Sequence, residues 1–195
     1  MIKRSLALIG PLNMAPGCMY GDYAASQAMT AFPVLEKLIN EYSPEIIIEI
    51  GFFRGGLSLF LADLNICEVV SYDIQNHGNL PEADNLTLCF EDCHSEETID
   101  KIGSLTQGKK TLWLIDGGDK QKEFNAFTRI IKKGELAMTH DFAPDEEGER
   151  YLKENNLWHW WESSLQGLNL EQYKKHEDFE EIWKTAMWGA FVKIN

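Results

Sequence analysis

The stretch Glu49-Ile-Gly51-Phe-Phe-Arg-Gly55-Gly56-Leu-Ser58 has the residue types of a ligand-binding turn. Glycine lets the backbone turn tightly and lets a ligand lie close against it. A helix that starts directly after such a turn offers free N–H groups. Three ligand chemistries use this arrangement, and the residues separate them. A phosphate loop needs lysine directly after its last glycine; Gly51 and Gly56 are correctly separated, but Leu57 stands in the lysine's place. A dinucleotide fingerprint needs a middle glycine where the pyrophosphate passes, and Phe53 occupies that position. The third ligand is a nucleoside bearing an ammonium and a sulfonium, S-adenosylmethionine, which calls for carboxylates. Glu49 supplies one before the turn, and Asp73, 24 positions on, ends the run Val-Val-Ser-Tyr-Asp. Asp92 follows Cys-Phe-Glu, and Asp116 follows Leu-Ile. Acids also follow strands as turn formers and helix caps. Four in series, with a glycine turn after the first, point to the cationic nucleoside.

These residues need strands to carry them. The β-branched run 46–50 reads as a strand buried on both faces. Further strands are expected at 68–74, 85–91, 111–115 and 135–139. Helical patterns cover 22–42 (with Ala28, Phe32, Leu35, Leu38 and Ile39 on one face), 57–65, 121–133 closed by Gly134, and 147–156. Strands separated by helices or long connections require crossovers, hence a mostly parallel sheet covered on both faces. The acids then lie at its carboxyl edge, where open α/β sheets bind ligands. The chain end differs. Residues 158–162 and 187–194 read as strands around a polar segment with a weak helix near 178–183, so an antiparallel strand is expected at the sheet edge.

Composition sets the outer bounds. The 195 residues are 44% apolar, enough for one domain with a core that needs no disulfide or metal. Lys plus Arg is 18 against 31 Asp plus Glu, a net charge of −13. Such a surface repels nucleic-acid backbones and anionic lipid and favours a small molecule or a protein as partner. The apolar run Leu6-Ala7-Leu8-Ile9 after Lys3 and Arg4 is broken by Gly10, Pro11 and Asn13, too early for a secretion signal. A cytoplasmic location is therefore expected. The four cysteines have no framework spacing: Cys67 and Cys89 read as buried small hydrophobes, and Cys89, Cys93 and His94 make only a strained metal set.

At these residues the sequence resembles the class I S-adenosylmethionine-dependent methyltransferases. It is most similar to the small-molecule O-methyltransferases of the cephalosporin hydroxylase-like and macrocin methyltransferase-like group. The matching stretches are Pro44 through Gly51 with Arg54-Gly-Gly, Ser71-Tyr-Asp73-Ile, Leu114-Ile-Asp116-Gly-Gly, and Lys133-Gly134 leading to Thr139-His140-Asp141. The resemblance implies a Rossmann-like, doubly wound, mostly parallel seven-stranded sheet with an antiparallel last strand and helices on both faces. It also implies one domain, with an N-terminal arm or lid at 1–21, a cofactor-binding core at 22–142, and an acceptor-side and edge-strand region at 143–195. Glu49, Gly51 and Gly55 would line the methionine part of the cofactor, Asp73 would hold the ribose, Asp92 would lie by the adenine, and Asp116 by the transferred methyl.

Methyl transfer to a hydroxyl needs alignment and removal of a proton, by a base or by a cation that lowers the acceptor's pKa. His140, at a strand end beside Asp141, is the candidate base. Alternatively Asp116 and Asp141, with Asp119, offer hard oxygen ligands for Mg²⁺. The run Asp116-Gly-Gly-Asp119-Lys120 resembles the Asp-x-Asp-Lys of cation-dependent catechol-type methyltransferases with one extra residue, and Phe142 replaces the usual Asn. Asp119 is equally suited to cap the following helix. His77 reads as a loop residue and His159 as packed on the sheet. The aromatic run around Trp158, Trp160 and Trp161 suits core packing or a homodimer contact, with an apolar acceptor pocket as the rival. The acidic loop 142–148 and the segment holding Tyr20 and Tyr23 are candidate covers. Two other functions remain open from sequence: a non-catalytic module that keeps the fold and the ligand, and a nicotinamide-dependent oxidoreductase, against which Phe53 counts.

Overall fold

A computed structural model describes residues 4–8 and 17–195. Gly10, Pro11 and Asn13, which break the apolar run, lie outside the described residues, as does Ile9. No helix among the described residues is long and apolar enough to cross a membrane.

In chain order the elements are β1 Leu6–Leu8, β2 Cys18–Tyr20, β3 Tyr23–Ala25, α1 Ala31–Tyr42, β4 Ile46–Ile50, α2 Gly56–Asp63, β5 Glu68–Asp73 and β6 Leu86–Phe90. There follow α3 Glu96–Leu105, β7 Thr111–Ile115, α4 Lys120–Phe127, β8 Leu136–Thr139, α5 Glu146–Glu154, β9 Tyr173–Lys175, α6 Phe179–Ala186 and β10 Gly189–Lys193. A seven-stranded sheet runs in the order β6-β5-β4-β7-β8-β10-β9. The strands from β6 to β8 are parallel, and β10 is antiparallel both to β8 and to β9. The order reverses between β4 and β7, which opens a crevice at their carboxyl ends.

The sheet is buried on both faces because its strands alternate between two apolar clusters. Ile47, Val69, Leu112, Leu114 and Met138 meet α1, α2 and part of α6 on one face. Ile46, Ile48, Ile50, Trp113, Ile115 and Phe191 meet α3, α4 and α5 on the other. Glu49 has the parity of Ile47 and so points under α2. This doubly wound α/β architecture is the one expected.

Several boundaries differ, each for a local reason. The expected helix at 22–42 starts only at Ala31. Gly21, at φ +58°, turns the chain into a hairpin, and β3 packs its backbone onto Gly56, where a Cβ would lie 2.6 Å from the Ala24 carbonyl carbon. The sequence reading places no helix between 92 and 110. Yet α3 forms there, capped by Ser95 accepting from the Thr98 N–H, and its buried apolar residues are only Ile99 and Ile102. The helix expected to reach Lys133 stops at Phe127, and the Thr128 carbonyl accepts from Lys193 Nζ instead. The strand expected at 158–162 is irregular, because the Glu162 and Ser163 N–H groups both donate to the Asp141 carbonyl. The antiparallel last strand is therefore internal, and β9, from the polar segment, forms the edge. His159 is exposed and bonded to Asn156 rather than packed on the sheet. The 142–148 loop is not a loose cover, since Phe142 and Ala143 are buried in the core.

Candidate functional site

A cavity of about 460 Å³ opens at the carboxyl ends of β4, β5, β6 and β7, and Glu49, Gly51, Asp73, Asp92, Asp116 and Asp141 all line it. Five of the six are carboxylates, and among the described residues Lys120 is the one lysine or arginine in its wall. Glu49 is fully buried, and its Oε2 accepts hydrogen bonds of 2.5 Å from Ser58 of α2 and Ser71 of β5. Its Oε1 is buried with no partner. Burial pushes its pKa from the ordinary 4.5 to about 7, against the pull of the two serines and with a further push from Asp116 and Asp73. A buried carboxylate oxygen without a partner is costly and calls for one, and a cationic ligand in the adjoining cavity would supply it.

The glycine turn brings backbone and ligand together. Gly51 has φ +84°, and a Cβ there would lie 2.2 Å from the Asp116 carbonyl oxygen, so only glycine lets β4 and β7 end this close. Gly55 caps α2 at φ +75° and faces Pro81 rather than the cavity, which corrects the expectation that it lines the methionine part of the ligand site. Phe53 keeps the left-handed conformation, φ +50°, at the place of the missing middle glycine, and its N–H donates to Asp73 Oδ2 at 2.9 Å. The second Asp73 oxygen accepts from the Gln75 N–H at 2.9 Å. Two backbone donors thus fix the carboxylate and leave lone pairs for a diol. His77 Nε2 lies 3.8 Å from Asp73.

Asp92 holds the next loop by accepting the His94 N–H at 2.9 Å. Cys93 and His94 come together with Glu123, not with Cys89. Burial, with Glu123 and Asp92 adding to it, pushes the Cys93 thiol up to about 12, so it stays protonated. Both Glu123 oxygens are already taken, by the N–H groups of Gly117 and Asp119. Cys67 and Cys89 are half-buried rather than buried.

The far end of the cavity is a charged knot. Asp116 Oδ2 accepts from Gln27 Nε2 at 2.6 Å, and Oδ1 lies 3.0 Å from His140 Nδ1. His140 Nδ1 is also 3.4 Å from Asp141 Oδ1, which accepts from Trp158 Nε1 at 2.7 Å. Lys120 Nζ lies 2.8 Å from Glu162 Oε2, 3.0 Å from Asp141 Oδ2, 3.0 Å from the Gly117 carbonyl and 3.6 Å from Asp116 Oδ1. Burial works against the lysine's charge, but Asp116, Asp141 and Glu162 outweigh it and raise its pKa. Burial likewise opposes charge on His140, and Asp116 and Asp141 more than compensate, raising its pKa. Asp141 itself sits at φ +49°, a strained conformation that turns its carboxylate inward.

His140 is 1% exposed, does not line the cavity, and packs its ring against Trp158 and Trp188 with Nε2 buried and unpartnered. This corrects the expectation of a base that touches the acceptor: the histidine reaches the cavity only through Asp116 and Asp141. Asp116, His140 and Asp141 do bring three ligand atoms within 4.8 Å of one another. The donor set nevertheless does not suit Mg²⁺, the alternative raised from the sequence, because all four oxygens of the two aspartates already face N–H donors and one of those donors is an ammonium. Asp119 caps α4, accepting from the Lys122 N–H.

Sequence reasoning missed five contributors. Gln27 links Asp116 to Trp188, accepting the indole N–H at 2.9 Å, and nothing at position 27 marks it in advance. Ser58 and Ser71 were visible only as small residues near Glu49. Glu162 reaches the knot from a loop expected to be a strand. Lys120 stood in the quoted run, four residues after Asp116, and that spacing was its signal.

Comparison with solved structures finds this fold in CmcI. An apo form matches at TM-score 0.60 and 14% identity over 88% of this chain and 73% of that one. CmcI with SAH matches at 0.60 and 15% over 96% and 87%, and CmcI with Mg and SAM at 0.61 and 16% over 90% and 78%. No protein-family profile and no curated protein sequence matches the chain. The chain thus has the Rossmann-like fold that the resemblance implied.

Proposed function

We propose that this protein is an S-adenosylmethionine-dependent methyltransferase that methylates an oxygen of a small hydroxylated molecule. The observation that carries the reading is Glu49, a cavity-lining carboxylate with a buried, unpartnered Oε1, in a cavity edged by strand-end acids. Glu49 would face the methionine ammonium, Asp116 would lie by the transferred methyl, and Gly51 would admit the methionine against the backbone. Asp73, fixed by two N–H donors, would accept the ribose hydroxyls, and Asp92 would meet the adenine amino group. That CmcI, of the same fold, has structures with SAH and with Mg and SAM supports an adenosyl ligand for this cavity.

The bound cofactor supplies a methyl group activated by positive sulfur. The chain's own work is to align the acceptor and take its proton. In that alignment Asp116 would take the acceptor's hydroxyl proton. Gln27 and His140 hold that carboxylate from opposite oxygens, so its direction is set before the acceptor arrives. His140 is a positioning residue in this scheme.

The test is formation of S-adenosylhomocysteine from S-adenosylmethionine across small phenols, polyols and amines. Acceptor-dependent product that disappears in Asp73→Ala is expected. Tight binding of the cofactor with no product from any acceptor would overturn transfer and leave a binding module.

A further inference from the structure

We propose that the Lys120 ammonium is the resident cation at the acceptor end, standing where a divalent ion would otherwise bridge Asp116 and Asp141. Its Nζ has four oxygen neighbours between 2.8 and 3.6 Å, from Glu162, Asp141, Gly117 and Asp116. Three of them are carboxylates, so the lysine is held as a central cation is held, and only about 7% of its side chain is exposed. The remaining oxygens of the pair are committed elsewhere, to Gln27, Trp158 and His140. Binding a divalent ion would require expelling an ammonium from a nearly closed pocket and breaking these bonds as well.

The placement gives the lysine a job. Lys120 lines the cavity beside Asp116, so a charge developing on the acceptor oxygen meets a fixed positive group there. A tethered ammonium supplies that field at any metal concentration. The role in transfer rests on the proposed function; the claim that lysine fills the ion's place does not, and ion binding tests it without turnover.

The experiment titrates Mn²⁺ into the whole chain by calorimetry, for wild type, Asp141→Asn and Lys120→Met. Wild type and Asp141→Asn should be indistinguishable, with any weak binding due to exposed acids. Lys120→Met uncovers three carboxylates and should bind Mn²⁺ at least about tenfold more tightly than wild type. Mn²⁺ binding by wild type that Asp141→Asn abolishes would overturn the proposal, and so would a folded Lys120→Met that gains no affinity. If Lys120→Met does not fold, the wild-type and Asp141→Asn titrations decide alone. Loss of cofactor binding in wild type would sink the methyltransferase reading and leave this result standing.

Discussion

Glu49→Gln should make the ligand-free protein more stable at pH 8 while weakening its hold on S-adenosylmethionine. The carboxyl has an ordinary pKa of 4.5 in the unfolded chain and about 7 in the fold, where burial disfavours its charge. Below pH 4.5 both states carry the proton and there is no cost. Between these values the folded state holds a proton that the unfolded state has lost, so stability falls as pH rises. Above pH 7 the full penalty applies, about 3 kcal/mol at roughly 1.4 kcal/mol per unit. Glutamine keeps an acceptor oxygen for Ser58 and Ser71 and carries no charge. Its gain over wild type should therefore be about 2–3 kcal/mol larger at pH 8 than at pH 5. For a chain of this size that is about 5–10 °C in melting temperature. The same change removes the partner of the methionine ammonium, worth about 1.5–3 kcal/mol, or roughly ten- to a hundredfold in affinity. Thermal melts at the two pH values with calorimetry at pH 8 read both. An equal stability change at pH 5 and 8, or unchanged affinity, would refute the reasoning.

Gly51→Ala should fail in another way: its Cβ meets the Asp116 carbonyl at a left-handed φ, costing at least about 1–3 kcal/mol and disordering the turn, as a lowered melting temperature and lost cofactor affinity would show. Gln27→Ala leaves the Trp188 indole N–H and Asp116 Oδ2 short of a buried partner, which should cost about 1–3 kcal/mol in denaturant unfolding. His140→Gln should slow turnover with the cofactor affinity and acceptor KM little changed, because the ring aims Asp116 without lining the cavity. A large rise in KM alone would contradict this.

The parts of the fold that sequence revealed were those with a strong local signature. The run Ile46-Ile47-Ile48-Glu49-Ile50 can hardly be anything but a central strand, and a carboxylate inside it already asks for a reason. The order of acids along the chain became a row in space because parallel strands put every carboxyl end on one edge. What escaped depends on tertiary demand. Trp158 has strand-like neighbours, yet its indole N–H is drawn to Asp141 and the chain bends to deliver it. Residues 22–30 look helical until Gly56 is seen to need a flat backbone against it. His140 looked reactive by type and position, but two tryptophans enclose it. Lys120 was visible as a residue, and its role appears only once Asp141 and Glu162 arrive from 21 and 42 positions away.

The most direct measurement is competition at the cavity between a cationic nucleoside and anionic nucleotides. Calorimetric titration of wild type with S-adenosylmethionine, S-adenosylhomocysteine, ATP and NAD should show saturable binding of the first two and none of the last two. Saturation by ATP or NAD, with no heat from either adenosyl compound, would contradict the account.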